Sequence, residues 1–260
     1  MKEPIGIFDS GVGGTSIWKE IRTLLPFERT IYLADSKNAP YGAKSKQQIL
    51  ELSVKNTELL LEKGCKLIVV ACNTATTNAI DYLRAHYEVP FIGIEPAIKP
   101  AALLSKSKTV GVLATKGTLS SSLFHSTSEI HAHGITIVEQ EGKGLVPLIE
   151  AGKAGSEETK ALLRSYLEPM LASGIDHLVL GCTHYPYLIP ILKELLPERV
   201  QVIDSGEAVA RQTKAVLLKN TLENTSQTKE RSEFYTNADL TILSSFLENS
   251  TDIHCSYLDF

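Results

Sequence analysis

Four strand-like runs occur twice in this chain, in the same order and at an offset of about 110 positions. Ile5-Gly6-Ile7-Phe8 is answered by Val110-Gly111-Val112-Leu113, and Phe91-Ile92-Gly93-Ile94-Glu95 by Val200-Gln201-Val202-Ile203-Asp204. Lys66-Leu67-Ile68-Val69-Val70-Ala71-Cys72 is answered by His177-Leu178-Val179-Leu180-Gly181-Cys182. A weaker pair sets Thr30-Ile31-Tyr32-Leu33-Ala34 against Ile135-Thr136-Ile137-Val138-Glu139. The runs are largely apolar and β-branched, as strands covered on both faces of a parallel sheet must be. Helical patterns lie between them. The repeat therefore confines the chain to an α/β fold made of two copies of one βα unit, two similar halves facing each other.

The third pair carries the chemistry. Each run stops at a cysteine followed by polar residues, Asn73-Thr74-Ala75-Thr76 in one copy and Thr183-His184 in the other. A helix is expected over Thr77 to His86. Ligands of open α/β sheets bind at the carboxyl edge of the strands, where backbone N–H groups and a helix dipole favour a thiolate. A lone buried cysteine is more often structural, and Cys65, next to the C-cap Gly64, is read that way. Cys255 is read as a tail residue without chemistry. Equivalent cysteines at equivalent turns instead place two thiols on opposite walls of one cleft.

Other residues fall at the same edges. Asp9 ends the first strand and precedes Ser10-Gly11-Val12-Gly13-Gly14-Thr15. Its alternative role is to cap the helix that follows. The glycines read either as a tight turn or as a cradle for a phosphate or carboxylate; they miss the third glycine of the dinucleotide pattern. Asp35 ends the second strand ahead of a turn-rich loop containing Pro40-Tyr41-Gly42. In the second copy, Ala114-Thr115-Lys116-Gly117-Thr118 replaces the glycine loop with hydroxyls. Further helices are expected over 46–63, 97–104, 158–172, 188–196, 208–219 and 240–247, with a last strand at Phe234-Tyr235-Thr236 and a surface loop over 220–232.

With 260 residues, 43% hydrophobic and a net charge of −4, the chain can build real cores but offers no basic stripe for nucleic acid. No apolar run reaches the roughly 18 residues of a membrane span. An N-terminus entering a strand at once leaves no room for a signal peptide. Four cysteines without a secreted-type framework suit a reducing cytoplasm. No Cys-x-x-Cys and no helical His pair near a Cys suggests zinc.

Two thiols flanking a small-molecule cleft suit proton transfer at a carbon acid such as an amino-acid Cα–H. One thiolate removes the proton from one face and the opposing thiol delivers a proton to the other, inverting the carbon. Asp9 is the candidate helper for Cys72 and His184 for Cys182. Thiol redox chemistry is the alternative, and it requires Cα atoms within roughly 7 Å. A non-catalytic amino-acid binding protein would share the two-lobed shape but would have no need of paired thiols.

The chain resembles the glutamate racemases of the cofactor-independent aspartate/glutamate racemase superfamily. The matching stretches are Ile7-Phe8-Asp9-Ser10-Gly11-Val12-Gly13-Gly14, Pro40-Tyr41-Gly42, Ala71-Cys72-Asn73-Thr74-Ala75, Ala114-Thr115-Lys116-Gly117-Thr118 and Leu180-Gly181-Cys182-Thr183-His184-Tyr185-Pro186. Phe124 stands where the family often has Tyr, and Asn237-Ala238-Asp239 where Ser-Gly-Asp is usual; neither is expected to touch the proton path. The resemblance implies two pseudo-symmetric Rossmann-like halves with mainly parallel sheets and the active site between them. The first half would be 1–97 completed by 208–260, and the second 98–207. It implies Cys72 and Cys182 as the acid/base pair, each the base for one enantiomer, with Asp9, Asp35, Glu150 and His184 assisting. Glu150 has nothing in its local pattern to single it out. Asp9, Ser10, Tyr41, Gly42, Asn73, Thr74, Thr115, Thr118, Thr183 and His184 would bind glutamate. No cofactor is implied. A cytoplasmic homodimer, a possible cell-wall precursor as effector, and a product destined for peptidoglycan are. Racemization of aspartate or another acidic amino acid is the near alternative.

Overall fold

The computed structural model describes residues 2–226, 228–247 and 251–260. Its strands are β1 (Ile5–Asp9), β2 (Thr30–Ala34), β3 (Leu67–Val70), β4 (Phe91–Gly93), β5 (Thr109–Ala114), β6 (Thr136–Glu141), β7 (His177–Gly181), β8 (Gln201–Ile203), β9 (Ser232–Thr236) and β10 (Ile253–Tyr257). One sheet runs β10-β9-β2-β1-β3-β4 and the other β6-β5-β7-β8. Every pairing is parallel.

The duplicated sequence is a duplicated topology. The order β2-β1-β3-β4 in the first sheet is repeated as β6-β5-β7-β8 in the second. Register repeats as well: Phe8 pairs with Val70, two positions before Cys72, and Leu113 with Leu180, two positions before Cys182. Strands β1, β2, β3 and β7 are buried along their whole length, which is why they read as unbroken apolar runs. The edge strand β6 has no fully buried residue, which explains why its sequence match to β2 is the weakest.

Both faces of the first sheet carry a core. Ile17, Trp18 and Ile21 of the helix Thr15–Leu24 pack with Val209, Ala210 and Leu217 of Gly206–Lys219 on one face. Ile49 and Leu60 of Lys46–Glu62 pack with Ala79 and Leu83 of Asn73–His86 on the other. The second sheet has cores around Leu163, Leu167 and Met170 and around Ile98 and Phe124. At the crossing between halves, the Asp176 carboxylate accepts bonds from Ser105 Oγ, Lys106 N and Ser107 N at 2.6–2.8 Å, fixing the polar linker to the start of β7.

Three expectations change. Cys255 lies not in a loose tail but in β10, the outermost strand of the first sheet. Its run, Ile253-His254-Cys255-Ser256-Tyr257, alternates too weakly to signal a strand. The helix after β3 begins at Asn73 rather than Thr77, so Cys72 is its N-cap. The last helix covers Leu240–Ser245, and of the expected Leu240–Leu247 all residues are described. Among the described residues no helix is long and apolar enough to cross a membrane.

Candidate active site

Both cysteines line one narrow cavity at the carboxyl edges of β3 and β7. Ser10, Tyr41, Gly42, Asn73, Thr74, Thr115, Thr183 and His184 line it too. A wider pocket bordered by Lys44, Lys116 and Lys143 shares Pro40, Gly42, Thr115 and Val146 with the inner cavity. Neither cysteine is in a disulfide, and both are nearly buried, at 4% and 7% exposure. Two thiols lining one pocket is an arrangement that proton transfer at a bound carbon acid can use. Among the described residues no group of three or more His, Cys, Asp or Glu could hold a metal.

Around Cys72 the sulfur accepts Ala75 N–H at 3.4 Å, the first-turn bond of its helix, and lies 3.7 Å from Ser10 Oγ. Burial above all, then the nearby Asp9 carboxylate, pushes this thiol well above its ordinary range, so Cys72 is a thiol at rest. Asp9 is not the N-cap of the first helix, a place Gly14 takes. Its Oδ2 accepts Gly14 N–H at 2.8 Å, steadying the start of the first helix. Its Oδ1 lies 3.4 Å from Ser10 Oγ and from Thr183 Oγ1 in the other half. Burial raises the Asp9 carboxyl, against the pull of His184 and the Gly14 N–H.

Around Cys182, His184 Nδ1 lies 3.8 Å from the sulfur, and its Nε2 lies 2.5 Å from Glu150 Oε1. Burial works against a charged imidazole, but the bonds to Cys182 and Glu150 and the neighbouring carboxylates outweigh it, so His184 titrates well above its ordinary value. Burial likewise opposes the Glu150 carboxylate, yet His184, Val12 N–H and Ser36 hold it below the usual range. The pair is an imidazolium on a carboxylate. On this ring the backbone turn after β7 settles what sequence spacing left open: Cys182 and His184, two positions apart, share one cavity.

The glycine loop is a carboxylate cradle for the protein's own Glu150. Val12 N–H donates to Glu150 Oε1 at 2.7 Å. A Cβ on Gly11 would stand 1.9 Å from Glu150 Oε1, and one on Gly13 would stand 2.2 Å from His184 Nδ1. These glycines are bare so that the second half can approach the first. The halves also meet through Ser16 Oγ, which donates to Thr183 O at 2.9 Å, and through Thr15 and Tyr187, whose hydroxyls lie 2.5 Å apart.

On the far wall, the hydroxyls of Thr74 and Thr115 lie 2.8 Å apart, with Thr118 at 3.4 and 3.1 Å from them. Asn73 is 2% exposed and neither atom of its amide has a partner among the described residues. A buried amide left so is unusual, and this one lines the cavity.

Four residues of the expected set stand behind the lining, each bonded to a residue that forms it. Asp9 backs Ser10 and Thr183, Glu150 backs His184, and Thr118 backs Thr74 and Thr115. Asp35 backs Tyr41, whose hydroxyl donates to Asp35 Oδ2 at 2.5 Å. Sequence reasoning missed Val146, which lines the cavity, Ser36, which donates to Glu150 Oε2 at 2.9 Å, and Tyr187. Nothing in their local patterns marks them. Of the two departures from the family, Phe124 is packed in a core of the second half. Asn237 is not remote from the site, because its Nδ2 donates to Asp35 Oδ1 at 2.5 Å.

The sequence profile of the Asp/Glu/Hydantoin racemase family matches residues 13–213. The glutamate racemase of Herpetosiphon aurantiacus is 46% identical over 91% of this chain and 93% of its own. Among solved structures, a Bacillus anthracis glutamate racemase isoform superposes with a TM-score of 0.87 at 28% identity, covering 100% of this chain and 99% of that one. An Escherichia coli glutamate racemase in complex with L-glutamate and the activator UDP-MurNAc-ala gives a TM-score of 0.85 at 35% identity, over 98% of each chain.

Proposed function

Because the chain belongs to the Asp/Glu/Hydantoin racemase family, we propose that it interconverts L- and D-glutamate by direct proton transfer at Cα. The observation that carries this reading is the opening of Cys72 and Cys182 onto a single narrow cavity. A substrate Cα between the sulfurs loses its proton to one thiolate while the opposite thiol protonates the other face. The C–H bond pair stays on carbon and takes the incoming proton; the two sulfurs exchange protonation states. Each cysteine is thus the base for one enantiomer.

The surroundings support a division of labour. Asp9, raised by burial, sits where it can accept or return the proton of Cys72 through Ser10. His184, protonated and held by Glu150, offers Nδ1–H to the Cys182 sulfur, so negative charge arising there meets a donor. Asn73, Thr74, Thr115 and Thr183 supply the neutral donors and acceptors that a substrate with two carboxylates and an ammonium group needs, alongside the backbone of Tyr41 and Gly42. Donors fixed in a buried site stabilise developing carbanion charge more strongly than water does, and the N-terminus of the helix Asn73–His86 adds its dipole.

Regulation and assembly follow the same reading. The crystal structure of the E. coli relative is a complex with L-glutamate and the activator UDP-MurNAc-ala, which supports a cell-wall precursor as effector here and a product destined for peptidoglycan. Leu103, Leu104 and Ile130, exposed on the helices Ile98–Leu104 and Ser122–His131, support a homodimer.

The test is to follow optical activity of L-glutamate with the protein and no added cofactor. Decay to zero is expected, with solvent deuterium appearing at Cα in D₂O. Persistent optical activity and no isotope uptake would end the proposal; faster exchange of aspartate than of glutamate would move it to the near alternative.

A further inference from the structure

We infer that Asn237, delivered by the C-terminal segment, is a positioning residue that sets the substrate-facing loop of Tyr41 and Gly42 through the buried carboxylate of Asp35. This inference rests on the racemase reading.

The chain of contacts is continuous. Strand β9 lies parallel beside β2, with Thr236 opposite Ala34, so Asn237 emerges next to Asp35 at the same sheet edge. Asn237 Nδ2 donates to Asp35 Oδ1 at 2.5 Å, and its Oδ1 accepts Lys37 N–H at 2.9 Å. One side chain thereby holds both the carboxylate and the backbone at the root of the loop. Nδ2 also donates to the Phe260 carbonyl oxygen at 3.0 Å, tying in the last residue described. The second carboxylate oxygen of Asp35 accepts the Tyr41 hydroxyl at 2.5 Å, and Asn56 Nδ2 donates to that hydroxyl at 3.1 Å.

Two features assign this network to positioning rather than to proton transfer. Asp35 is 2% exposed, bonds to neither cysteine, and does not line the cavity, whereas Tyr41 does. The Tyr41 hydroxyl points into the network, and burial together with the Asp35 charge keeps it protonated as a donor. The next residue, Gly42, touches Thr115 of the second half, where an added Cβ would stand 2.8 Å from Thr115 Cβ. A shift at the root of the loop is therefore transmitted to both walls of the substrate cavity. A buried carboxylate needs its neutral donors; Asn38 Nδ2 also donates to Asp35 Oδ1, at 2.8 Å, but Asn237 adds the tie to Lys37 N–H, so losing its amide loosens the root of the loop.

The experiment compares wild type with Asn237→Asp, Asn237→Ser and Tyr41→Phe, measuring kcat, KM for L-glutamate and melting temperature. Asn237→Asp keeps the size but turns an oxygen toward Asp35. It is expected to raise KM about ten-fold or more with kcat changed much less, the pattern of lost uniform binding. Asn237→Ser keeps a short hydroxyl donor and adds no charge beside Asp35, and should raise KM less than Asn237→Asp does. Because Asn237 and Tyr41 act in series, Asn237→Asp combined with Tyr41→Phe should raise KM no more than the larger single change. Folded variants with wild-type KM, or a rise in KM that is multiplicative in the double variant, overturn the inference alone. A wild type without turnover overturns the racemase reading and this inference with it.

Discussion

His184 and Glu150 meet side chain to side chain, Nε2 to Oε1 at 2.5 Å, although 34 positions separate them. Glu150 closes the short helix Leu145–Glu150 and His184 opens the turn after β7. The carboxylate is held from the first half as well, by Val12 N–H and Ser36 Oγ. One acidic side chain thus fixes the protonation of the imidazole beside Cys182 and docks the two halves.

Replacing Glu150 by Gln removes the charge that keeps the His184 proton in place. The limb on which kcat/KM falls as His184 deprotonates should move to lower pH, read directly from a pH–rate profile. Stability has the same sign. The folded value of His184 is raised above its unfolded 6.5, so its contribution is full below 6.5 and is lost as pH rises through the folded value. Thermal melts should show that alkaline loss in wild type and a weaker one in Glu150→Gln, with the variant about 1–3 kcal/mol less stable overall.

Cys72→Ser and Cys182→Ser each replace a thiol by a group far too weak an acid to serve. Each should lose about 10²–10⁴-fold in kcat while melting near the wild-type temperature and still binding glutamate by calorimetry. Turnover surviving in either variant contradicts a two-sulfur mechanism.

Gly13→Ala tests the purpose of the glycine loop. The new methyl would lie 2.2 Å from His184 Nδ1, so the imidazole must move away from Cys182. A loss of about 10²-fold or more in kcat/KM is expected, far beyond the roughly 0.5–1 kcal/mol backbone effect of glycine itself. A fully active Gly13→Ala protein would mean that His184 has room to spare and that its placement is not critical.

Asp176 tests the linker between the halves. Its carboxylate takes N–H and O–H bonds from Ser105, Lys106, Ser107 and His177, and these hold it below the usual range against a burial effect that would raise it. Asp176→Asn should lower stability at neutral pH by about 1–3 kcal/mol. Since the folded value is depressed, the contribution is present above the unfolded value and disappears as pH falls through the folded one. The gap between wild type and variant in denaturant midpoints should therefore close in acid.

Much of the fold was legible because burial on both faces forces a parallel strand to be apolar along its length, and β1, β3, β5 and β7 are such strands. The edge strand β10 was not, since a half-exposed strand tolerates residues such as His254 and Ser256. Helix starts were blurred where polar residues filled the first turn, as at Asn73 and Thr74.

The sequence by itself determined the duplication and the position of a thiol at the carboxyl edge of each copy. Each of these is local: strand composition and the turn that follows depend on residues within one βα unit. Only the tertiary structure decided that Glu150 lies in the glycine loop, that Gly13 makes room for His184, and that Asn237 reaches Asp35. Those meetings depend on how the two halves and the C-terminal strands dock, a sum over many packing contacts to which no short stretch of sequence holds the key.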